Sequence, residues 1–153
     1  GRWIMMLRLE GQVASAPLIA GLRKNIGGMD TVRGYEEQDQ AGDEAYAASL
    51  ELRTPLLTNF LPGLEKSEEY LEANPNAWQK HRLQLLVFSD FGYTRNKEPL
   101  PGEQEDETLN SVGAGLRMGI TKYSNLSLDY GVPLSKTEGS ESGRGHLSLQ
   151  LQF

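Results

Sequence analysis

The sequence predicts an all-β, antiparallel fold with the strand dimensions of a membrane-barrel wall. Three observations predict it. Apolar and polar residues alternate in six separate stretches, the pattern of strands with one apolar and one polar face. Most of these stretches run 9–13 residues, against ~5–6 for a soluble strand and ~9–11 for a tilted strand that crosses a bilayer. The polar faces carry full charges, at Arg8, Glu10, Glu51, Arg53, Asp90, Arg117 and Asp129, and the apolar faces carry almost none. That last feature also suits a soluble antiparallel β-protein whose polar faces meet water, so this reading stays open beside the barrel. Strand length and the terminal aromatic Phe153 favour the barrel.

Composition bounds the alternatives. A length of 153 residues fits one domain. With 15 Lys+Arg against 21 Asp+Glu the net charge is -6, which argues against a nucleic-acid partner, since such binders carry a basic face or stripe. The chain has no cysteine, so neither a disulfide framework nor a thiolate metal site is available. No apolar run approaches the ~18–20 residues of a transmembrane helix. An apolar fraction of 38% is low for a soluble domain and ordinary for a membrane barrel, whose alternation averages to a soluble-looking hydropathy.

The elements follow in chain order. The opening strand sets Trp3, Met5, Leu7 and Leu9 against Met6, Arg8, Glu10 and Gln12. It starts as though in mid-strand, without a signal-peptide pattern, so the chain is expected to be the C-terminal part of something longer. Residues 17–43 are a long polar connection containing GGMDTVRGY, where glycines permit sharp turns. EAYAASLELRT sets Tyr46, Ala48, Leu50 and Leu52 against Ala47, Ser49, Glu51 and Arg53. Residues 56–80 form a second long connection, with an acidic stretch suited to a short helix started by Pro62. HRLQLLVFSDFGY places Leu83, Leu85, Val87, Phe91 and Tyr93 on one face, and Arg82, Gln84, Phe88, Asp90 and Gly92 on the other. An acidic connection spans 95–108. NSVGAGLRMGI then sets Val112, Ala114, Leu116, Met118 and Ile120 against Ser111, Gly113, Gly115, Arg117 and Gly119. A tight turn is expected at 122–125. LSLDYGVPL opposes Leu126, Leu128, Tyr130, Val132 and Leu134 to Ser127, Asp129 and Gly131. A polar loop at 136–143 leads to the last strand, with Leu147, Leu149, Leu151 and Phe153 against His146, Ser148, Gln150 and Gln152.

No constellation for bond chemistry emerges. His81 and His146 form no HExxH or similar pair, and neither a GxSxG elbow nor a Walker A loop occurs. The glycine-rich GAGLRMG lies inside a strand pattern, which makes a phosphate cradle a weak reading. The acidic GEQEDET lacks EF-hand spacing and reads as a solvated loop. No catalytic residue, metal ligand or cofactor is assigned. On the residues alone, Arg33 is most simply an exposed loop cation worth under ~1 kcal/mol.

An ordered series of motifs carries the reading further. QVASAPL, GGMDTVRGY, AGDEAYAASLELRTPLL, LLVFSDFG, SVGAGLRMG and a last strand ending in Phe153 follow one another along the chain. Together they resemble the C-terminal barrel half of the two-partner secretion transporters, the haemolysin-activator and filamentous-haemagglutinin exporter family. That family lies in the superfamily that includes the outer-membrane assembly barrel. VRGY alone is a match that chance supplies easily. VRGY, FxDxG, GxGLR and a terminal aromatic, in order and on strands of the right parity, are specific, and the resemblance covers nearly the whole chain.

The resemblance implies a 16-stranded barrel preceded by POTRA domains. Residues 1–153 would be the C-terminal part of that barrel domain and hold its last six strands, with the first ten strands and the POTRA domains absent. Six strands are too few to close, since the smallest membrane barrels have about eight, so remaining strands or further copies are required. Residues 17–43 would be an extracellular loop folded into the lumen. Residues 95–108 and 136–143 would lie outside the cell, and 56–80 and 122–125 on the periplasmic side, although 56–80 is longer than the usual short periplasmic turn. The lumenal loop motif would be Val32, Arg33, Gly34 and Tyr35. Arg33 would pair with Asp90, which shares the parity of Arg82 and Gln84 and so faces the lumen. A partly desolvated carboxylate needs such a partner, and a guanidinium fork meets it with two parallel bonds. Phe88, Asp90, Gly92, Gly113, Gly115 and Arg117 would form the facing wall, the glycines of the GxGLR strand leaving room for the loop tip and Arg117 joining the network around Asp90. Phe153 would belong to the membrane-insertion signal, or, on its residue type alone, to an interfacial aromatic girdle. The implied function is export of a haemolysin- or adhesin-type partner polypeptide across the outer membrane of a Gram-negative bacterium, without an enzymatic step. Partners would be the secreted protein, outer-membrane lipid and the barrel assembly machinery, with no nucleic acid and no cofactor. An insertase of the same superfamily and a non-transporting structural β-protein are the alternatives.

Overall fold

A computed structural model describes residues 1–58, 72–73, 81–99, 101–121, 124–135 and 142–152. Among these residues the strands are β1 (Ile4–Gln12), β2 (Lys24–Ile26), β3 (Gln40–Gly42), β4 (Glu44–Arg53), β5 (Leu57–Thr58), β6 (Arg82–Arg95), β7 (Asp106–Thr121), β8 (Ser124–Pro133) and β9 (Arg144–Leu151). The six long strands β1, β4, β6, β7, β8 and β9 lie side by side in chain order, each antiparallel to the next. They are the six stretches whose alternation the sequence displays. The short β5 continues along the β4 side of β6, with Leu57 opposite Leu83. β1 and β9 are the two edges, so the sheet is an open portion of a barrel wall.

Several boundaries differ from the sequence reading. β6 and β7 reach 14 and 16 residues, because their hairpin extends into the acidic connection and pairs Arg95 with Asp106. Arg95 also reaches Glu105 at 3.6 Å, an opposite-charge contact across the hairpin of the kind that favours such pairing. The loop over 17–43 is not plain polar coil. It contains a 3-10 turn at Ala20–Leu22 and the β2–β3 hairpin. Ser124 and Asn125, expected in a turn, already pair in β8. The helix expected within 56–80 falls, apart from Glu72 and Ala73, outside the described residues, as do Phe153 and most of the 136–143 loop.

The two faces of the sheet are chemically opposite. On one face stand Leu50, Leu52, Leu85, Val87, Phe91, Val112, Leu128 and Val132, all exposed. Leu147, Leu149 and Leu151 continue that face into β9, 67%, 60% and 54% exposed. A cross-strand Tyr46–Tyr93 pair, ring centroids 6.4 Å apart, stacks near one end of it. No second layer covers this face among the described residues, which is what a soluble sandwich would require. Hydrocarbon is the solvent that such a face suits.

The other face carries the core. Ile26, Val32 and Tyr35 of the 17–43 loop pack on Ala45 and Ala47 of β4 and Leu109 of β7, all buried. The two small alanines let the loop lie close to the wall. The core is therefore a plug of loop against sheet, and it covers the charged centre of that face.

Candidate functional site

Cross-strand register builds the charged face in rows. One row runs Ser49, Asp90, Ser111 across β4, β6 and β7. The next runs Glu51, Phe88, Gly113, Gly131, Arg144 from β4 to β9, and a third runs Arg53, Leu86, Gly115, Asp129, His146. The loop tip Val32–Tyr35 lies across these rows.

Arg33 is the centre of the site. Its Nε and Nη2 donate to Asp90 Oδ2 and Oδ1, both at 2.8 Å. Its backbone N–H reaches Asp90 Oδ2 at 3.1 Å. Nη1 donates to Glu51 Oε1 at 2.6 Å and Nη2 to Ser49 Oγ at 3.0 Å. The Ser49 hydroxyl in turn donates to Asp90 Oδ1 at 2.6 Å. The guanidinium carbon sits 3.5 Å from the centroid of the Phe88 ring, a cation–π contact strengthened by exclusion of water. Arg33 is 3% exposed and Asp90 1%. Charges so deeply buried need this degree of pairing to be tolerated.

The network extends outward and balances. Glu51 Oε2 accepts from Arg53 Nε and Nη2 at 2.9 and 2.6 Å. Arg117 forms a two-pronged pair with Asp129 at 2.8 and 2.9 Å, and lies 3.9 Å from Glu51. Asp129 Oδ1 is 3.9 Å from Arg33 Nη1. Three arginines, Arg33, Arg53 and Arg117, thus meet three carboxylates, Glu51, Asp90 and Asp129. Arg117 reaches the Asp90 neighbourhood through Glu51 and Asp129 and does not bond Asp90 itself.

Glycines set how closely the loop approaches. Gly34 has φ +97, in the left-handed region, and a Cβ there would lie 2.9 Å from Gly131 C. A Cβ on Gly131 would meet Arg33 C and Gly34 N at 2.7 Å. A Cβ on Gly92 would meet Val32 Cγ2 at 2.7 Å and Ile26 Cδ1 at 2.8 Å. Room for the loop therefore comes from Gly92 and Gly131. The space beside Gly113 is instead filled by the Phe88 ring, and that beside Gly115 by the Asp129 carboxylate, so these two glycines accommodate neighbouring wall side chains and not the loop tip. Tyr35 is fully buried; its hydroxyl lies 2.8 Å from Asn110 O and from Ser135 O, and accepts from Asn110 N and Ser135 N. Having one proton, it donates to one carbonyl at a time.

The root of the loop has its own anchor. Asp43, fully buried, accepts from Leu18 N at one oxygen and Lys97 N at the other, each at 2.8 Å, with Arg23 Nε at 3.3 Å. The Lys97 N–H lowers its pKa most; burial opposes, and the Leu18 N–H and the Arg23 charge complete the shift below the ordinary carboxylate value.

The structure brings together Val32, Arg33, Gly34, Tyr35, Phe88, Asp90 and Gly92, with Arg117, Gly113 and Gly115 one strand further on. Phe153 lies outside the described residues. The sequence reading missed Ser49, Glu51 and Asp129 as partners, and Gly131 and Asp43 as fitted positions. Glu51 and Asp129 share the polar parity, which is the signal for their face; which charge each one meets depends on register.

A protein-family description, haemolysin secretion/activation protein ShlB/FhaC/HecB, matches residues 2–118. No match was found among curated proteins or among solved structures.

Proposed function

Because this chain belongs to the haemolysin secretion/activation family, whose members are two-partner secretion transporters and activators of the Gram-negative outer membrane, we propose that it forms the C-terminal wall of a barrel that exports a partner polypeptide. The 17–43 loop is the internal element of that barrel, and Val32–Tyr35 is its docking tip. In this reading the charged face lines the lumen and the exposed leucine face meets lipid. The observation that carries the reading is the buried, two-pronged seat of Arg33 on Asp90, made by a long loop laid across the charged side of an open sheet.

Bare strand edges are not tolerated in hydrocarbon. β1 and β9 therefore take partners, either strands encoded outside these residues or strands of further copies. The loop's seat is a latch: docked, it fills part of the lumen; released, it leaves a polar passage for an unfolded substrate. The substrate is a secreted haemolysin- or adhesin-type protein. Phe153 contributes to recognition by the barrel assembly machinery.

The test is secretion. The full-length transporter carrying Arg33→Ala is co-expressed with its partner, and the partner is quantified in the medium alongside the amount of barrel in the outer membrane. Loss of secretion per inserted barrel is expected. Wild-type secretion by a normally inserted Arg33→Ala protein would overturn the latch.

A further inference from the structure

The loop tip is held from a second side, by the last strand. Gly34 N lies 3.3 Å from Nε2 of His146 on β9, with its N–H directed at that nitrogen. His146 Nδ1 faces Glu37 Oε1 at 3.9 Å, and the other carboxylate contact of that residue is to Met29 N at 2.8 Å. Two residues earlier on β9, Arg144 pairs with Glu36. The His146 side chain is 12% exposed, against 64% for Glu37. Residues 144 and 146 lie beyond the stretch matched by the family description.

From this geometry we propose that His146 is a positioning residue, a proton-sensitive tether between β9 and the loop tip. The proposal rests on the docked-loop reading above. An N–H can donate to Nε2 only while that nitrogen keeps its lone pair. The docked form therefore holds a neutral imidazole with its proton on Nδ1, toward Glu37. Protonation puts a second N–H on the ring, facing the Gly34 N–H, and the bond is lost. Histidine is the side chain whose charge ordinarily changes between pH 5 and 8.

The charged groups around the ring set the balance. Glu36 and Glu37 face it from the loop. Asp129 lies opposite it on β8, already engaged by Arg117 and near Arg33. Arg144 is on its own strand. An imidazolium gains attraction to Glu37, but that carboxylate is largely in water, where such pairs are weak. The bond to the loop backbone lies in the more enclosed position. Acidification therefore loosens the loop tip from β9 at the one contact that needs a neutral imidazole, while the two-pronged seat of Arg33 on Asp90 involves no histidine. His146 trims the latch, and Asp90 holds it.

The test measures loop position. Residues 1–153 contain no cysteine, so Asp30→Cys on the loop and Gln150→Cys on β9 can carry spin labels in the full-length transporter, with any other cysteine replaced. Distance distributions are recorded at pH 8 and pH 5, bracketing histidine ionisation. The docked-to-free ratio is expected to fall about five-fold on acidification, the value of one ordinary hydrogen bond. His146→Gln, which offers a neutral acceptor that does not titrate, is expected to stay docked at both pH values. His146→Ala should show the reduced ratio at both. Asp90→Ala, as a separate control, should free the loop regardless of pH; if it does not, the docked-loop reading itself fails, independently of His146. A wild-type ratio that ignores pH, or a His146→Gln protein that responds to pH as the wild type does, would overturn the tether.

Discussion

Removing the Asp90 carboxylate tests the energetics of the site most directly. Asp90 accepts four hydrogen bonds: from Arg33 N, Nε and Nη2 at 3.1, 2.8 and 2.8 Å, and from Ser49 Oγ at 2.6 Å. In Asp90→Ala the Arg33 guanidinium, 3% exposed, keeps Glu51 at 2.6 Å, Ser49 Oγ at 3.0 Å and the Phe88 ring, and loses its bonds to the carboxylate. Breaking one partner of a buried pair costs ~3–5 kcal/mol, and the surviving Glu51 contact places this case near the lower end. About 3 kcal/mol lowers the docked-to-free ratio by roughly a hundred-fold. A specific protease site engineered at Asp30 in the full-length transporter reads that ratio as a cleavage rate, and partner secretion reads its consequence. Arg33→Ala should cost a similar amount, because it strands Asp90. The double variant removes both buried charges and should cost clearly less than the sum, since residues sharing a network are not additive. An unchanged cleavage rate with full secretion in Asp90→Ala, or strict additivity in the cycle, would refute the latch.

Gly131→Val places a side chain against the backbone of Arg33 and Gly34 at 2.7 Å and should expose the loop to protease, whereas Gly145→Ala, whose nearest neighbour is 4.0 Å away, should not; equal effects would contradict the fitted approach at Gly131. Asp43 has a lowered folded-state pKa, so its contribution to stability is complete above the unfolded value of ~3.9 and is lost as pH falls through the lower folded value. Thermal unfolding should therefore lose this contribution only in strong acid, and Asp43→Asn should remove that part of the acid dependence while weakening the loop root at neutral pH. Leu149→Arg puts a charge on the exposed apolar face and should cost ~2–4 kcal/mol near mid-bilayer, lowering the amount of full-length protein recovered in the outer membrane; Ser148→Arg, on the loop side, should cost far less, and equal losses would reverse the assignment of the two faces.

Some of this was legible residue by residue. The alternation Leu147, Leu149, Leu151 against His146, Ser148, Gln150 announces both a strand and its two faces. The same pattern places Asp90 with Gln84 and opposite Val87. Strand ends were less legible, because β6 and β7 extend into a charged hairpin, with Arg95 in register with Asp106, where apolar alternation has already ended. The β2–β3 hairpin escaped notice because its strands are three residues each, too short for periodicity to register. In the loop, VRGY supplied an arginine in a tight turn, and the family resemblance supplied its expected partner.

By itself the sequence determined what is local: which stretches are strands, which side of each is apolar, and that one side is charged. Period two is a relation between neighbours, so neighbours suffice to read it. Tertiary structure decided how Ser49, Glu51 and Asp129 complete the seat of Arg33 on Asp90, which glycines receive the loop and that His146 touches Gly34. Those contacts join residues 57 positions apart for Arg33 and Asp90 and 112 apart for Gly34 and His146, and they depend on register across several strands. A shift of one residue in the ladders that hold β6 or β8 would turn Asp90 or Asp129 away from Arg33, and nothing within a single strand's pattern specifies that register.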